Sequence, residues 1–252
     1  LQALLSDAYN RERAKRIGER VALDAPPGAV PGWQPNVAKP ARGRDDTLAP
    51  HWRAAMPGDT CHLDVIDRHG NMVAATPSGG WLPSSPVIPE LGFPLGTRGQ
   101  MFWLHEGHPT SLAPRKRPLH TIIPAFMEKG DVKIGFGIMG GWNQSQAHAQ
   151  FVSNIADFGM TIQQALEAPR FSKRTFDGCD VDIEAMVPAA TLDALRALGH
   201  QVTVHPPRST DTFGYGQAVM SDGKGMHFGA CEPRHDGAAI PQGVPAARNG
   251  RP

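Results

Sequence analysis

Apolar and polar positions begin to alternate sharply after Asp59. In CHLDVIDRHGNMVAATPS, Leu63 and Val65 share one parity, while His62, Asp64 and Ile66 share the other. That two-residue period is the mark of a strand. Arg68-His69-Gly70 supplies a turn and a second strand runs from Met72 to Ser78, so the segment reads as a β-hairpin. VKIGFGI, residues 132–138, reads as another strand. Met139-Gly140-Gly141 turns the chain, and WNQSQAHAQFVSNIADFG then has helical spacing up to Gly159. Thr161 starts a short helix with Ala165 and Leu166 on its inner side and Pro169 after it. Thr191 to Leu198 predicts a helix with Leu192, Leu195 and Leu198 in one stripe and Gly199 as its stop. QVTVH is a strand, and later strands are expected at 215–220 and 225–229. Ahead of Asp59 the pattern is sparser. Residues 1–20 read as an amphipathic helix with Leu1, Leu4, Leu5, Ala8 and Tyr9 on one side. Residues 24–58 are rich in Pro, Gly, Arg and Asp without periodicity, which suits a surface segment or linker. Strands, then helices, then strands predict an α+β layered domain.

Composition narrows the function classes. The 252 residues are 40% apolar, enough for one large domain or two small ones. Twenty-five basic against 24 acidic residues leave a net charge of +1, so neither nucleic acid nor an anionic membrane is an expected partner. No apolar run approaches the ~20 residues of a membrane span. Cys61, Cys179 and Cys231 are far apart and odd in number, and read as plain thiols. His105 and His108 lack the spacing of a metal pair, so no metal and no cofactor are expected. GFGIMGG matches GxGxxG, but no acidic partner follows about 20 residues on, and a dinucleotide loop is set aside. Arg115-Lys116-Arg117 reads as a solvated loop and Asp236-Gly237 as a turn. The sequence has no initiator Met and opens as if in mid-helix, so it is expected to belong to a longer one whose targeting signal is not legible here.

Candidate chemistry gathers at the hairpin. Thr60 lies where the irregular segment meets the first strand. Cleavage of the bond between Asp59 and Thr60 would make Thr60 N-terminal and free its α-amine, which titrates near ~8. That amine can activate the Thr hydroxyl without a histidine. With Arg68-His69-Gly70 as a three-residue loop, the antiparallel register sets Thr60 opposite Ser78, whose hydroxyl can hold the nucleophile's rotamer. Gly140-Gly141, between a strand and a helix N-terminus, can turn N–H groups toward an oxyanion. His62 shares a face with Thr60 but is read as structural.

These motifs carry a resemblance. DTCHLDVIDRHGN resembles the start of the small subunit of the γ-glutamyltransferase family. LAPRKRPLHTIIPAF, GIMGGWNQSQAHAQFVSNIADFGMTIQQALEAPRF and YGQAVMSDGKGMHFGACEPRHDGAA follow in the family's order, from Asp59 to about Ala239. The resemblance implies an N-terminal-nucleophile (Ntn) hydrolase αββα four-layer sandwich, of which this chain supplies roughly half. It implies a precursor that cleaves itself before Thr60. Residues 1–59 are then the C-terminal end of the large subunit and a linker, and residues 60–252 the small catalytic subunit. It assigns Thr60 as nucleophile, Ser78 as its support, and Gly140 and Gly141 as the oxyanion pair. His120 and Thr121 fall where two serines contact the substrate carboxylate, and Gln100 near the α-amino group.

Three positions depart from the pattern. Trp103 replaces the acidic residue that binds the α-ammonium, Gly80 stands for an Asn, and His120 for a Ser. The implied activity is hydrolysis or transfer of γ-glutamyl amides, glutathione-like, through an acyl-Thr ester. The departures keep open an acylase of other acyl amides such as glutaryl amides, or a non-cleaving relative. The expected partner is the rest of the large subunit, in a heterodimer of cleaved chains. Residues 1–252 alone are expected to show no turnover.

Overall fold

The computed structural model describes residues 2–23, 28–30, 32, 60–79, 85–104, 108–173, 178–209 and 213–242. The expected linker at 24–58 lies almost wholly outside them, as do Leu1, Asp59, Gly80 and His105. In chain order the elements are α1 (Asp7–Ala14), β1 (Leu63–Ile66), β2 (Met72–Ala75), β3 (Val87–Ile88) and β4 (Phe93–Pro94). Then come β5 (Ala125–Lys129), β6 (Val132–Met139), α2 (Gln144–Ala156), α3 (Ile162–Glu167), β7 (Phe171–Ser172) and β8 (Asp180–Glu184). The last are α4 (Ala189–Ala197), β9 (Gln201–His205), β10 (Tyr215–Ser221) and β11 (His227–Cys231).

The central sheet is antiparallel, in the order β11-β10-β6-β5. One face presents Ile134, Phe136, Ile138 and Ala218, which pack on Ala147 and Phe151 of α2 and on Ile162, Ala165 and Leu166 of α3. This is the main core, because two elements with opposite periods each turn one apolar face to the other. The other face of β6 presents Gly135 and Gly137, and the β1–β2 hairpin lies over it. A Cβ at Gly137 would sit 2.3 Å from the His62 ring. The glycines that mimic a dinucleotide motif are therefore the floor on which the hairpin's polar side rests. Helices, sheet and hairpin form three successive layers. A smaller sheet, β7-β8-β9, pairs β8 and β9 in parallel through the crossover helix α4.

Several elements differ from the sequence pattern. The N-terminal helix is only α1: Ser6 caps its start by accepting from the Tyr9 N–H, and it buries no residue. The second hairpin strand stops at Ala75, because Pro77 has no N–H to continue the ladder; pairing resumes only at the isolated Thr60–Ser78 bridge. A 3₁₀ turn, Gly141–Asn143, opens the helix expected from residue 142. α4 starts at Ala189, and Leu198 stays 39% exposed outside the stripe. Strands β3, β4, β5, β7 and β8 had no predicted counterpart. β5 was marked by Gly130-Asp131, a two-residue hairpin loop with positive φ at Gly130.

Candidate active site

The hairpin loop sets the geometry. Asp67 Oδ1 accepts from the His69 and Asn71 backbone N–H groups at 2.8 and 2.9 Å, and the Asp67 N–H donates to the Asn71 carbonyl at 3.0 Å. Gly70 has φ +80°, the left-handed residue that a three-residue loop requires. The loop is thus Arg68 to Gly70, and Leu63 pairs with Ala75. Carried outward, that register brings Thr60 opposite Ser78, with 2.6 Å between their hydroxyl oxygens.

Below Thr60 lies a buried polar row. His62 Nδ1 is 2.7 Å from Thr76 Oγ1, and Nε2 is 3.0 Å from Asp64 Oδ2. The His62 and Asp64 side chains are 0% and 1% exposed. Burial pushes the Asp64 carboxyl above its usual range, and His62 beside it opposes that shift. Nδ1 is thus hydrogen-bonded to Thr76, while Nε2 only approaches Asp64 without a hydrogen bond of good geometry, and the ring supports the hairpin.

The hairpin lies over β6, the strand that leads into the glycine turn. Asp64 lies over Gly135 and His62 over Gly137. Gly140 and Gly141 have φ of +141° and +57°, conformations that side chains rarely adopt. They precede the N-terminus of α2, where the helix dipole favours negative charge. His148 of α2 holds the strand beneath. Its Nε2 accepts from the Ile138 N–H at 2.8 Å, past the point where β5 ends its ladder at Phe136. Burial, with His62 second, lowers the His148 pKa to about 4.

The other residues singled out from the sequence are dispersed. Trp103 stacks on His108, with ring centroids 4.3 Å apart. Thr121 Oγ1 accepts from Arg98 Nη1 at 3.4 Å. Gln100 and His120 are exposed. Gly80 lies outside the described residues. Among the described residues no cluster of His, Cys, Asp and Glu could hold a metal ion.

Sequence reasoning missed a buried ion network. Arg234 grips Glu184 with Nε and Nη2 at 2.8 and 2.6 Å, and Glu232 with Nη1 at 2.7 Å. Arg170 Nη2 donates to Glu232 at 2.8 Å. The guanidinium groups also donate to the Leu166 and Ala168 carbonyls at the end of α3. Arg170 Nη1 reaches the Gly214 carbonyl just before β10. Two cations and two anions cancel, and the ends of α3, β8 and β11 and the start of β10 are tied to one node. Only EPR and APR hinted at it, and neither has a period.

The family model described as Gamma-glutamyltranspeptidase matches residues 1–242. The chain is 34% identical over 187 residues to the glutathione hydrolase-like YwrD proenzyme of Bacillus subtilis, covering 72% of this chain and 35% of that protein. It is 32% identical over 201 residues to the oxamate amidohydrolase proenzyme of Klebsiella pneumoniae, covering 77% and 38%. The cephalosporin acylase of Bacillus halodurans superposes with TM-score 0.74 at 35% identity, over 96% of this chain and 40% of that one. The chain therefore spans little more than a third of the length of these curated relatives.

Proposed function

The chain belongs to the gamma-glutamyltranspeptidase family, and from that premise we propose that it carries the small catalytic subunit of an Ntn amide hydrolase and acyltransferase, freed by cleavage before Thr60. The observation that carries this is the Thr60–Ser78 hydroxyl contact of 2.6 Å at the head of the hairpin. Residues 1–59 then close the large subunit, and the two cleaved chains stay together as a heterodimer.

The chemistry balances on these groups. The Thr60 hydroxyl oxygen attacks the amide carbonyl, and its proton passes to the free α-amine. The Gly140-Gly141 turn and the helix N-terminus receive the oxyanion. The tetrahedral carbon collapses, the C–N bond breaks, and the α-ammonium returns the proton to the leaving amine. Water or a second amine then attacks the acyl-Thr60 ester and releases the acid or a new amide. Ser78 positions the hydroxyl throughout.

The resemblance supports γ-glutamyl amides as substrates. A specific observation favours the acylase reading instead. Trp103, stacked on His108, offers no carboxylate to an α-ammonium, which forgoes a charge-assisted contact of roughly 1.5–3 kcal/mol. Acyl amides without an α-ammonium are therefore the preferred class. The full-length protein should yield a fragment beginning Thr-Cys-His-Leu on N-terminal sequencing. A mechanism-based inhibitor should add mass to the peptide that starts at Thr60, and Thr60→Ala should abolish both. A wild-type protein that stays uncut would make it a non-cleaving relative. A strong preference for γ-glutamyl over glutaryl anilide would restore the γ-glutamyl reading.

A further inference from the structure

The turn that carries Gly140 and Gly141 also carries a large side chain that the chemistry above does not use. Trp142 follows Gly141 within the 3₁₀ turn Gly141–Asn143 and is 55% exposed. Its two successors turn inward, Asn143 at 8% and Gln144 at 1% exposure. Gln144 Oε1 accepts from the Ile123 N–H at 3.1 Å, and the Asn143 N–H donates to the Gly140 carbonyl at 3.1 Å. The backbone under Trp142 is therefore held while its indole is left in solvent. Among the described residues the indole has no ring contact and no hydrogen bond.

A single apolar side chain on a surface means little by itself. The place of this one gives it meaning, because the glycine turn has a closed side and an open one. A Cβ on Gly140 would lie 3.1 Å from the Gly214 Cα, so Gly140 packs against the chain that enters β10. A Cβ on Gly141 would meet nothing within 4 Å. Room for a ligand begins at Gly141, and Trp142 is its immediate neighbour, with Cα atoms about 3.8 Å apart. A carbonyl held by the turn, as the acyl-Thr60 reading requires, carries its substituents into the space beside that indole.

The surroundings say what kind of group suits it. Residues 134–156, most of β6 and all of α2, contain no Lys, Arg, Asp or Glu. Their one titratable side chain is His148, which is buried, with its pKa lowered to about 4 chiefly by that burial. Recognition beside the turn therefore works through shape and dispersion rather than charge. A rigid indole binds a second planar ring by offset stacking or edge contact, over and above the apolar area it buries. A puckered ring of the same size buries the area without the stack.

We propose that Trp142 is a specificity-determining residue that stacks on an uncharged aromatic ring carried by the amide substrate close to its carbonyl. The assignment rests on the acyl-Thr60 reading and deepens it.

The test uses the full-length protein and four amides. Phenylacetamide and cyclohexylacetamide carry the ring on the acyl side, and acetanilide and N-cyclohexylacetamide carry it on the amine side. Comparing variants within each pair cancels the difference in intrinsic reactivity. In Trp142→Leu, which keeps an apolar side chain, the aromatic-to-alicyclic ratio of kcat/KM should fall about 3- to 10-fold in one pair, mostly through KM. The pair that responds identifies the side of the carbonyl on which the ring lies. Trp142→Phe should keep most of the ratio. Ratios unchanged in both pairs would overturn the stack. An equal loss on all four amides would overturn it too, and would make Trp142 a packing residue for the rest of the large subunit. If no amide turns over, tryptophan fluorescence decides. Phenylacetamide or acetanilide should change the emission of the wild type and not that of Trp142→Leu, and an equal change in both, or none, overturns the proposal. A chain that stays uncut at Thr60 removes the acyl-Thr60 reading, and the same titration then decides Trp142 by itself.

Discussion

At the residue scale, the proposed site is a pair of hydroxyls above a buried polar row. Thr60 and Ser78 face each other at 2.6 Å, and the buried His62 bonds Thr76 through Nδ1 with Nε2 3.0 Å from Asp64. Ser78→Ala removes the contact that holds the nucleophile while leaving the ladder from Leu63 to Met72 intact. Acylation should slow about tenfold, the worth of one neutral hydrogen bond, with an unchanged circular dichroism spectrum. Single-turnover kinetics would measure it, and Ser78→Thr should recover most of the rate. Thr60 opposite Ser78 was legible in the sequence because a local loop sets the register. The engagement of His62 was legible only as a parity, since its partners come from both strands and from the sheet below.

At the element scale, the hairpin, β6 and α2 work as one unit, and His148 is the joint between strand and helix. The imidazole must be neutral to accept from the Ile138 N–H, and its pKa is lowered from 6.5 to about 4. A histidine with a depressed folded pKa gives stability that is fully present above its unfolded pKa and lost as pH falls toward the folded one. From pH 6.5 down to about 4 the protein should therefore lose roughly 3 kcal/mol. The neighbouring His62 and Arg170 side chains lower it further. Asp64 acts in the opposite sense. Its raised pKa makes the protonated folded form more favourable, so its contribution falls as pH rises through the window above 3.8. Urea midpoints measured across this range should slope upward with pH in wild type and flatten in His148→Gln. The helix itself was legible from WNQSQAHAQFVSNIADFG. The inward aim of His148 was not, because its partner is a strand that lost its neighbour where β5 ends.

At the scale of the whole molecule, the node of Arg170, Glu184, Glu232 and Arg234 joins α3, β8, β10 and the end of β11. All four side chains are buried, at 0–4% exposure. Truncating one member leaves an uncompensated buried charge, so Arg234→Ala should destabilise by about 3–5 kcal/mol in urea unfolding. Replacing Arg234 and Glu184 together by apolar residues should cost less than the single truncation. The outer side of the hairpin carries Leu63, Val65 and Val73, each about half exposed at 46, 51 and 53%. It is an apolar face beyond the third layer, on the side where a four-layer sandwich continues. The sequence by itself determined what local periods and turns encode. These are the alternating hairpin and its loop, the strand–Gly-Gly–helix unit, the capped α3, and the motif order that marks the family. Only the tertiary structure decided which glycines are a floor for His62, which arginine packs against Gly79, and which four charges neutralise one another. Those contacts join residues distant in sequence, where no period links the partners and the energy depends on burial, which exists only once the layers have packed.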